Sequence, residues 1–126
     1  MRRIAILLAI LPAACAAVQQ SARPGNTLEF QKRELRLDAG GVTYDLLSAM
    51  PVRSARIYDL VSRETFTRRY FVVHAEGRQY VCKTEQREGE LYPRKILVET
   101  RAGFRRVLLD GEGNIVRAEA VADLGE

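Results

Sequence analysis

Short runs of alternating apolar residues, each broken by a glycine-bearing turn, recur along this chain from Leu28 onward. Alternation with a period of two places successive side chains on opposite faces of a strand, and glycine supplies the positive φ that tight turns between strands need. Neighbouring segments of this kind pair into antiparallel hairpins. The pattern therefore predicts a mainly β fold, an antiparallel meander of hairpins that forms either a small barrel or a half-open sheet.

Three of the predicted hairpins have registers that place apolar residues opposite each other. Their turns lie at Gly40-Gly41, Glu76-Gly77 and Ala102-Gly103. The predicted pairs are Leu37 with Tyr44, Leu35 with Leu46, Val73 with Tyr80, Val72 with Val81, Phe71 with Cys82, Ile96 with Leu109, Leu97 with Leu108 and Val98 with Val107, with Glu99 opposite Arg106. A fourth turn over 110–114 joins predicted strands at 104–109 and 115–121.

The segment 51–64, with the sequence PVRSARIYDLVSRE, fits two local structures. Ser54 is a suitable N-cap for one short helix near 54–63, with Ile57, Leu60 and Val61 on one helical face. The same residues also suit a strand. Because hairpins flank the segment on both sides, another strand gives the simplest connection, and the strand is favoured over the α+β alternative.

The first residues have the layout of an export signal. Met1, Arg2 and Arg3 precede an apolar run from Ile4 to Leu11, and small residues follow. The run is shorter than the roughly 20 apolar residues of a membrane-spanning helix. We therefore expect an exported protein, periplasmic or anchored to the outer membrane. Its predicted parts are a cleaved signal at 1–16, a flexible tether at 17–27, a single β-rich domain at 28–122 and a loose C-terminus at 123–126.

Cys15 ends the stretch LPAAC. This stretch resembles the lipobox of bacterial lipoproteins, in which small residues precede a cysteine that is diacylated and becomes the new N-terminus. The family pattern usually has leucine three places before the cysteine, where this chain has Pro12. Ordinary signal cleavage after Ala16 or Ala17 is the alternative, because small residues then occupy the third and first places before the cut, and Cys15 is lost with the signal. With Cys15 lipidated or removed, Cys82 has no disulfide partner in its own chain.

Cys82 and His74 are the single thiol and the single histidine after the signal. They are therefore the candidates for a nucleophile and its base. In the predicted hairpin they lie on opposite faces, which makes a thiol-dependent enzyme the least favoured function. Zinc sites need more cysteines or histidines than these two residues provide.

The stretch DGEGN at 110–114 begins like an EF-hand calcium loop. That loop requires glycine at its sixth place and glutamate at its twelfth, where this chain has Ile115 and Val121. We therefore predict a plain turn and no cofactor.

Charge gives a weak signal about partners. The formal net charge is +4, and Arg2 and Arg3 of the signal are included in it. So small an excess does not predict a nucleic-acid partner. The predicted contact surface is an exposed strand edge or an arginine-bearing sheet face such as that of Arg68, Arg105 and Arg117.

The stretch LLDGEGNIVRAE resembles, over about a dozen residues, the end of the sheet in small outer-membrane lipoproteins that assist the assembly of barrel proteins. The Gly-Met-Thr stretch and the strand tryptophan of that family are absent from this sequence, so we do not assign the chain to it. We expect a small envelope protein, a lipoprotein, that is a non-enzymatic binding or assembly module. Its partner is another envelope protein, or a membrane surface reached through the lipid anchor. A periplasmic carrier of a small apolar ligand is the alternative.

Overall fold

The computed structural model describes residues 28–125, which form nine β-strands and no helix. The predicted signal, the tether and Cys15 lie outside the described residues. The strands are β1 Leu28–Gln31, β2 Arg36–Ala39, β3 Val42–Asp45, β4 Arg53–Asp59, β5 Glu64–Ala75, β6 Arg78–Arg87, β7 Lys95–Thr100, β8 Gly103–Leu109 and β9 Ile115–Val121.

The strands pair in chain order into two antiparallel sheets. The small sheet has the order β1-β2-β3, and the large sheet has the order β4-β5-β6-β7-β8-β9. This confirms the predicted mainly β fold of consecutive hairpins. The described strands do not close into a barrel, because β4 and β9 remain at opposite edges of the large sheet.

The small sheet is apolar on one face and polar on the other. Its register places Leu37 opposite Tyr44, as predicted, and Ala39 opposite Val42. All four of these side chains are buried. The alternate residues, among them Asp38 opposite Thr43, form the polar face. An antiparallel sheet with this alternation has one face for a core and one for water.

The large sheet uses one face to complete the core. We call this the inner face, which carries Phe71, Cys82, Ile96, Val98 and Val107, all packed with the apolar face of the small sheet. The opposite face is the outer face, which carries Arg68, Lys83, Leu97 and Arg106. Two packed layers satisfy the need of each sheet to bury one apolar face.

Tyr44 joins the two sheets by a hydrogen bond as well as by packing. Its hydroxyl donates to the backbone carbonyl of Glu99 on β7 at 2.5 Å, and it lies 3.4 Å from the carbonyl of Val81 on β6. Burial raises the pKa of the Tyr44 hydroxyl. The neutral hydroxyl is thus a donor at all ordinary pH values, as a buried tyrosine requires.

The central hairpin β5–β6 has the predicted register. Phe71 lies opposite Cys82, Val72 opposite Val81 and Val73 opposite Tyr80. Its turn residues Glu76 and Gly77 have φ angles of 55° and 74°. Positive φ at both central residues is the type I′ geometry that suits the twist of two paired strands.

The predicted register of the β7–β8 hairpin is wrong by two residues. Ile96 lies opposite Val107, Leu97 opposite Arg106 and Val98 opposite Arg105. The turn is formed by 101–102, because the Thr100 hydroxyl donates to the Gly103 carbonyl at 2.6 Å and accepts from the Ala102 amide at 3.1 Å. A shift of two residues leaves every side chain on the same face, so burial alone could not select the register.

The predicted Glu99–Arg106 ion pair is consequently wrong as well. Glu99 accepts instead from Arg78 at 2.7 Å, and Arg106 pairs with Glu119 on β9. The last hairpin matches its prediction, with β8 ending at Leu109 and β9 running from Ile115 to Val121.

The helix alternative for 54–63 is wrong, and the favoured strand is confirmed. Residues Arg53–Asp59 form β4, whose seven residues all pair with β5. The physical reason lies in β5, which pairs with β6 along one side and has a second row of backbone groups along the other. Pairing with β4 satisfies that second row, as backbone groups in a sheet require.

We predict that Gly40→Ala destabilises the protein by about 2–4 kcal/mol, and that Gly77→Ala costs about 1 kcal/mol. Both glycines have positive φ. A Cβ at Gly40 would lie 2.6 Å from the Thr100 Cβ, whereas a Cβ at Gly77 would meet nothing within 4 Å. Urea unfolding of the two variants measures the difference. Equal losses would contradict a tight contact between the β2–β3 turn and the β7–β8 hairpin.

Candidate functional site

The three arginines predicted as a contact surface lie on different faces of the large sheet. Arg68 on β5 and Arg117 on β9 are outer-face residues at separate ends of the strand order. Arg105 on β8 lies opposite Val98 and Ala120, which places it on the inner face. The register therefore does not bring the three together, and their role in a contact stays a prediction.

Arg68 belongs to a local network of ion pairs on the outer face. Its Nη2 lies 2.8 Å from Glu85 Oε2, and Lys95 Nζ lies 3.5 Å from Glu85 Oε1. Arg117 lies 3.7 Å from Glu119, which also binds Arg106. Hydrogen bonding from Arg106 lowers the pKa of Glu119 against the opposing effect of burial. Each of these carboxylates is thus shared by two cations of its own chain, which leaves one positive charge in excess at each cluster.

A groove of about 420 Å³ lies at one end of the outer face. Apolar side chains form part of its wall, notably Phe66, Leu108 and Val116. Charged side chains form the rest, including Glu64 and Arg87, which pair with each other at 3.2 Å. The volume suits a small ligand, but seven of the eleven lining residues are polar or charged, unlike the apolar lining of most pockets of this size.

Cys82 and His74 are separated as the predicted register requires. Cys82 is fully buried on the inner face, and burial raises the pKa of its thiol. His74 lies opposite Gln79 on the outer face and is exposed. A buried thiol held in its neutral form is a poor nucleophile, and the exposed imidazole is on the other side of the sheet.

The carboxylate of Asp110 stabilises the turn at 110–114 by hydrogen bonds with the backbone. Asp110 Oδ1 accepts from the amides of Glu112 and Asn114, both at 2.9 Å. The backbone hydrogen bond from Asn114 is the largest cause of the lowered pKa of Asp110. The plain turn predicted here is what the structure has. Within residues 28–125, no three metal-ligating side chains cluster.

Strand β4 forms the most exposed edge of the large sheet. Its residues 53–56 and Tyr58 are exposed, and among the described strands it pairs with β5 alone. The opposite edge, β9, is interrupted by a bulge between Leu108 and Leu109 of its partner strand. Bulges protect sheet edges against further pairing, and the ladder of β4 has none.

Exposed apolar side chains concentrate around β4. We call residues 47–61 the β4 edge. They include six of the large hydrophobic residues that the described chain exposes, with exposed fractions of 67% for Leu47, 83% for Met50, 68% for Val52, 56% for Tyr58, 81% for Leu60 and 95% for Val61. Exposed apolar residues at both ends of a strand whose outer backbone groups are unpaired are typical of a surface that contacts another chain.

The sequence predicts an exposed strand edge as a contact surface but does not identify the strand that forms it. The signal was present in Leu60 and Val61, two adjacent apolar residues beside the charged residue Asp59. Both lie in the turn over 60–63 that joins β4 to β5, where neither side chain is buried. Interpreted as part of a helical face, the same two residues gave the wrong alternative.

Comparisons with protein family models, with curated proteins and with solved structures find no match to this chain. Within the described residues no helix is long and apolar enough to cross a membrane. The candidate site therefore rests on the geometry of the β4 edge.

We predict that the thiol of Cys82 in the folded protein resists alkylation by iodoacetamide from pH 7 to 9. Burial both excludes the reagent and raises the pKa of the thiol, so the thiolate does not form in this range. Mass spectrometry of the reacted protein, with urea-unfolded protein as control, measures the modification. Rapid alkylation of the folded chain would contradict a purely structural role for Cys82.

Proposed function

We propose that this protein is an exported lipoprotein of a bacterial envelope and that it is a non-enzymatic binding or assembly module. Export and lipidation are inferred from the basic and apolar first residues and from Cys15 in LPAAC. The observation that carries the binding role is the β4 edge, an unbulged strand of seven residues with exposed apolar residues at both of its ends.

The proposed mode of binding is strand addition. An extended segment of a partner chain pairs with the free side of β4, and its backbone groups complete the hydrogen bonds that β4 leaves open. The exposed side chains of Val52, Tyr58 and Leu60 then pack against alternate residues of the added strand. Main-chain hydrogen bonds supply affinity in this mode, and side-chain packing supplies selectivity.

The tether fits a role close to the membrane. Residues 17–27 contain Pro24 and Gly25 in a largely polar stretch. A flexible chain of this length has a root-mean-square span of roughly 20 Å. A lipid on Cys15 would hold the β4 edge near the membrane surface, where envelope proteins are encountered.

A second candidate is a small-ligand carrier that uses the groove on the outer face. Its volume of about 420 Å³ favours this role. Its wall includes Glu85, Arg87 and Lys95, which suits a polar or charged ligand better than the apolar guest expected from the sequence.

We predict that the mature protein recovered from bacterial membranes has an intact mass equal to residues 15–126 plus a diacylglyceryl group on Cys15. A Cys15→Ser variant should then appear in the soluble fraction, because the anchor is lost while the domain is unchanged. A wild-type mass that begins at Ala16, Ala17 or Val18 would remove the lipoprotein part of the proposal and leave the domain in the periplasm.

We predict that a photo-crosslinking residue placed at Tyr58 in cells of the producing bacterium yields a discrete adduct with an envelope polypeptide. The same residue at Leu91, which is 76% exposed but lies outside the β4 edge, is the matched control. A further variant carrying Val52→Asp and Leu60→Asp should lose the Tyr58 adduct, because these changes place charge at the two apolar ends of β4. Equal adducts at Tyr58 and Leu91, or none at Tyr58, would refute binding through β4.

A further inference from the structure

Strand β4 is complementary to itself. Its sequence is RSARIYD, with Val52 before it and Leu60 after it. An antiparallel copy can be laid along the free side with Arg56 opposite Arg56. Every residue from Val52 to Leu60 then has a partner in the second copy.

We propose that the partner of the β4 edge is a second copy of this chain. The two β4 strands pair antiparallel about a two-fold axis at Arg56, and the two large sheets become one continuous sheet. This inference rests on the proposed role of β4 as a contact surface and names its occupant. Such an interface is isologous, since the same strand serves on both sides.

The outer-face residues of β4 match in this register. Arg53 lies opposite Asp59 of the second copy, and Ala55 lies opposite Ile57. The two-fold axis repeats each pair, which gives two ion pairs and two apolar pairs. Within its own chain Arg53 lies over the Tyr70 ring at 4.2 Å. Its guanidinium therefore lies on the β5 side of β4, and pairing with Asp59 of the second copy requires the Arg53 side chain to turn toward the free side.

The inner-face residues match as well. Val52 lies opposite Leu60 of the second copy, and these two side chains are 68% and 81% exposed in the single chain. Ser54 lies opposite Tyr58. The one like-charged pair is Arg56 with itself, and each Arg56 is bound by Glu88 of its own chain. The pair therefore does not place two uncompensated charges together.

Neighbouring registers are worse matched. With Ala55 on the axis, Arg53 lies opposite Ile57 and Asp59 opposite Pro51. With Ile57 on the axis, Asp59 lies opposite Ala55 and Arg53 opposite Val61. In both cases a charge faces an apolar residue, and the cross-strand ion pairs are lost. Charge complementarity thus selects one register.

The other long edge, β9, is a poorer surface for a copy of itself. The bulge beside it disturbs the ladder near Ile115. Its large exposed apolar residues are confined to Ile115 and Val116. The strand β4 has regular pairing over its whole length and apolar residues at both ends.

The symmetry has a consequence for the anchor. A two-fold axis perpendicular to the joined sheet places both small sheets on the same side of it. The small sheet begins at Leu28, directly after the tether. The two diacylglyceryl anchors of the proposed dimer could then enter the same membrane and bind it jointly.

The test uses the full exported chain with single cysteines that report the register. Directly opposite residues have Cα atoms about 4.5–5.5 Å apart, within the range that a disulfide bridges. The Arg56→Cys variant should therefore form a covalent dimer under oxidising conditions. In the proposed register two copies of Ser54 lie about 13 Å apart, so the Ser54→Cys variant is the matched control on the same face of the same strand. Non-reducing electrophoresis should show about tenfold more dimer for Arg56→Cys than for Ser54→Cys.

Two further variants keep the result interpretable. The double variant Ser54→Cys with Tyr58→Cys retains Arg56 and should also form the covalent dimer, through two disulfides. The Ala118→Cys variant reports pairing through β9 and should remain monomeric. Equal dimer from Ser54→Cys, dimer from Ala118→Cys alone, or monomer from both β4 cysteine designs would overturn the proposal.

The unmodified protein gives an independent measurement. Light scattering in detergent should give the mass of a dimer, and Arg53→Glu should raise the dimer dissociation constant about tenfold, because two ion pairs become two repulsions. The control is Arg33→Glu, the same charge change at an exposed turn residue of the small sheet. An unchanged constant for Arg53→Glu, or the same loss for Arg33→Glu, would contradict the pairing.

The two proposals fail separately. If the cysteine variants stay monomeric while the Tyr58 photo-adduct contains a different envelope protein, the binding role of the β4 edge stands and the dimer falls. If Tyr58 gives no adduct and no cysteine pair forms, both fall. If the photo-adduct is twice the mass of this chain, both are supported.

Discussion

The burial of the inner face of the large sheet beneath the small sheet is the interaction on which the rest of the structure depends. The only cysteine in the described residues is unpaired, so no disulfide holds this region together. The β2–β3 hairpin supplies Leu37, Val42 and Tyr44 to the core, and the Tyr44 hydroxyl binds the backbone of β7. Gly40 allows the turn of this hairpin to sit directly against Thr100. A single antiparallel sheet has no partner for its apolar face, and the small sheet provides that partner.

Once the core is closed in this way, accessible side chains remain on the outer face, at the edges and on the part of the inner face near Arg69 and Gln86, where two pockets lie. The outer face carries many charges, and Arg68 and Lys95 there share the carboxylate of Glu85. The thiol lies inside the core, out of reach of His74. The open side of β4 is different, because its backbone groups and the apolar residues around it have no neighbouring strand among those described. The proposed binding function is assigned to this edge, and the proposed self-pairing names its occupant.

The registers show where sequence reasoning succeeds and where it fails. In β5–β6, Glu76 and Gly77 adopt positive φ in a two-residue turn, so local turn chemistry and the apolar pattern select the same pairing. In β7–β8, Gly103 is the first strand residue instead of a turn residue, because the Thr100 side chain closes the turn one place earlier. The apolar pattern could not detect this slip, since a shift of two residues preserves the faces. The sequence did not identify β4 as the exposed edge. The alternation of apolar and polar residues predicts the face on which each side chain lies, but it does not show which strands pair and which strand is left at the edge of the sheet.

The sequence by itself determined the antiparallel hairpin class, most turn positions and the face to which each core residue points, because these follow from side-chain alternation and from the φ requirements of glycine turns within a few residues. The division into two sheets, the strand conformation of 53–59, the separation of Arg105 from Arg68 and Arg117, and the exposure of β4 were decided by the tertiary structure. These features depend on contacts between residues far apart in the chain. The β5 backbone required a second strand for its hydrogen bonds, and the inner face of the large sheet required an apolar layer to cover it. No single local segment of the sequence shows which residues meet these requirements.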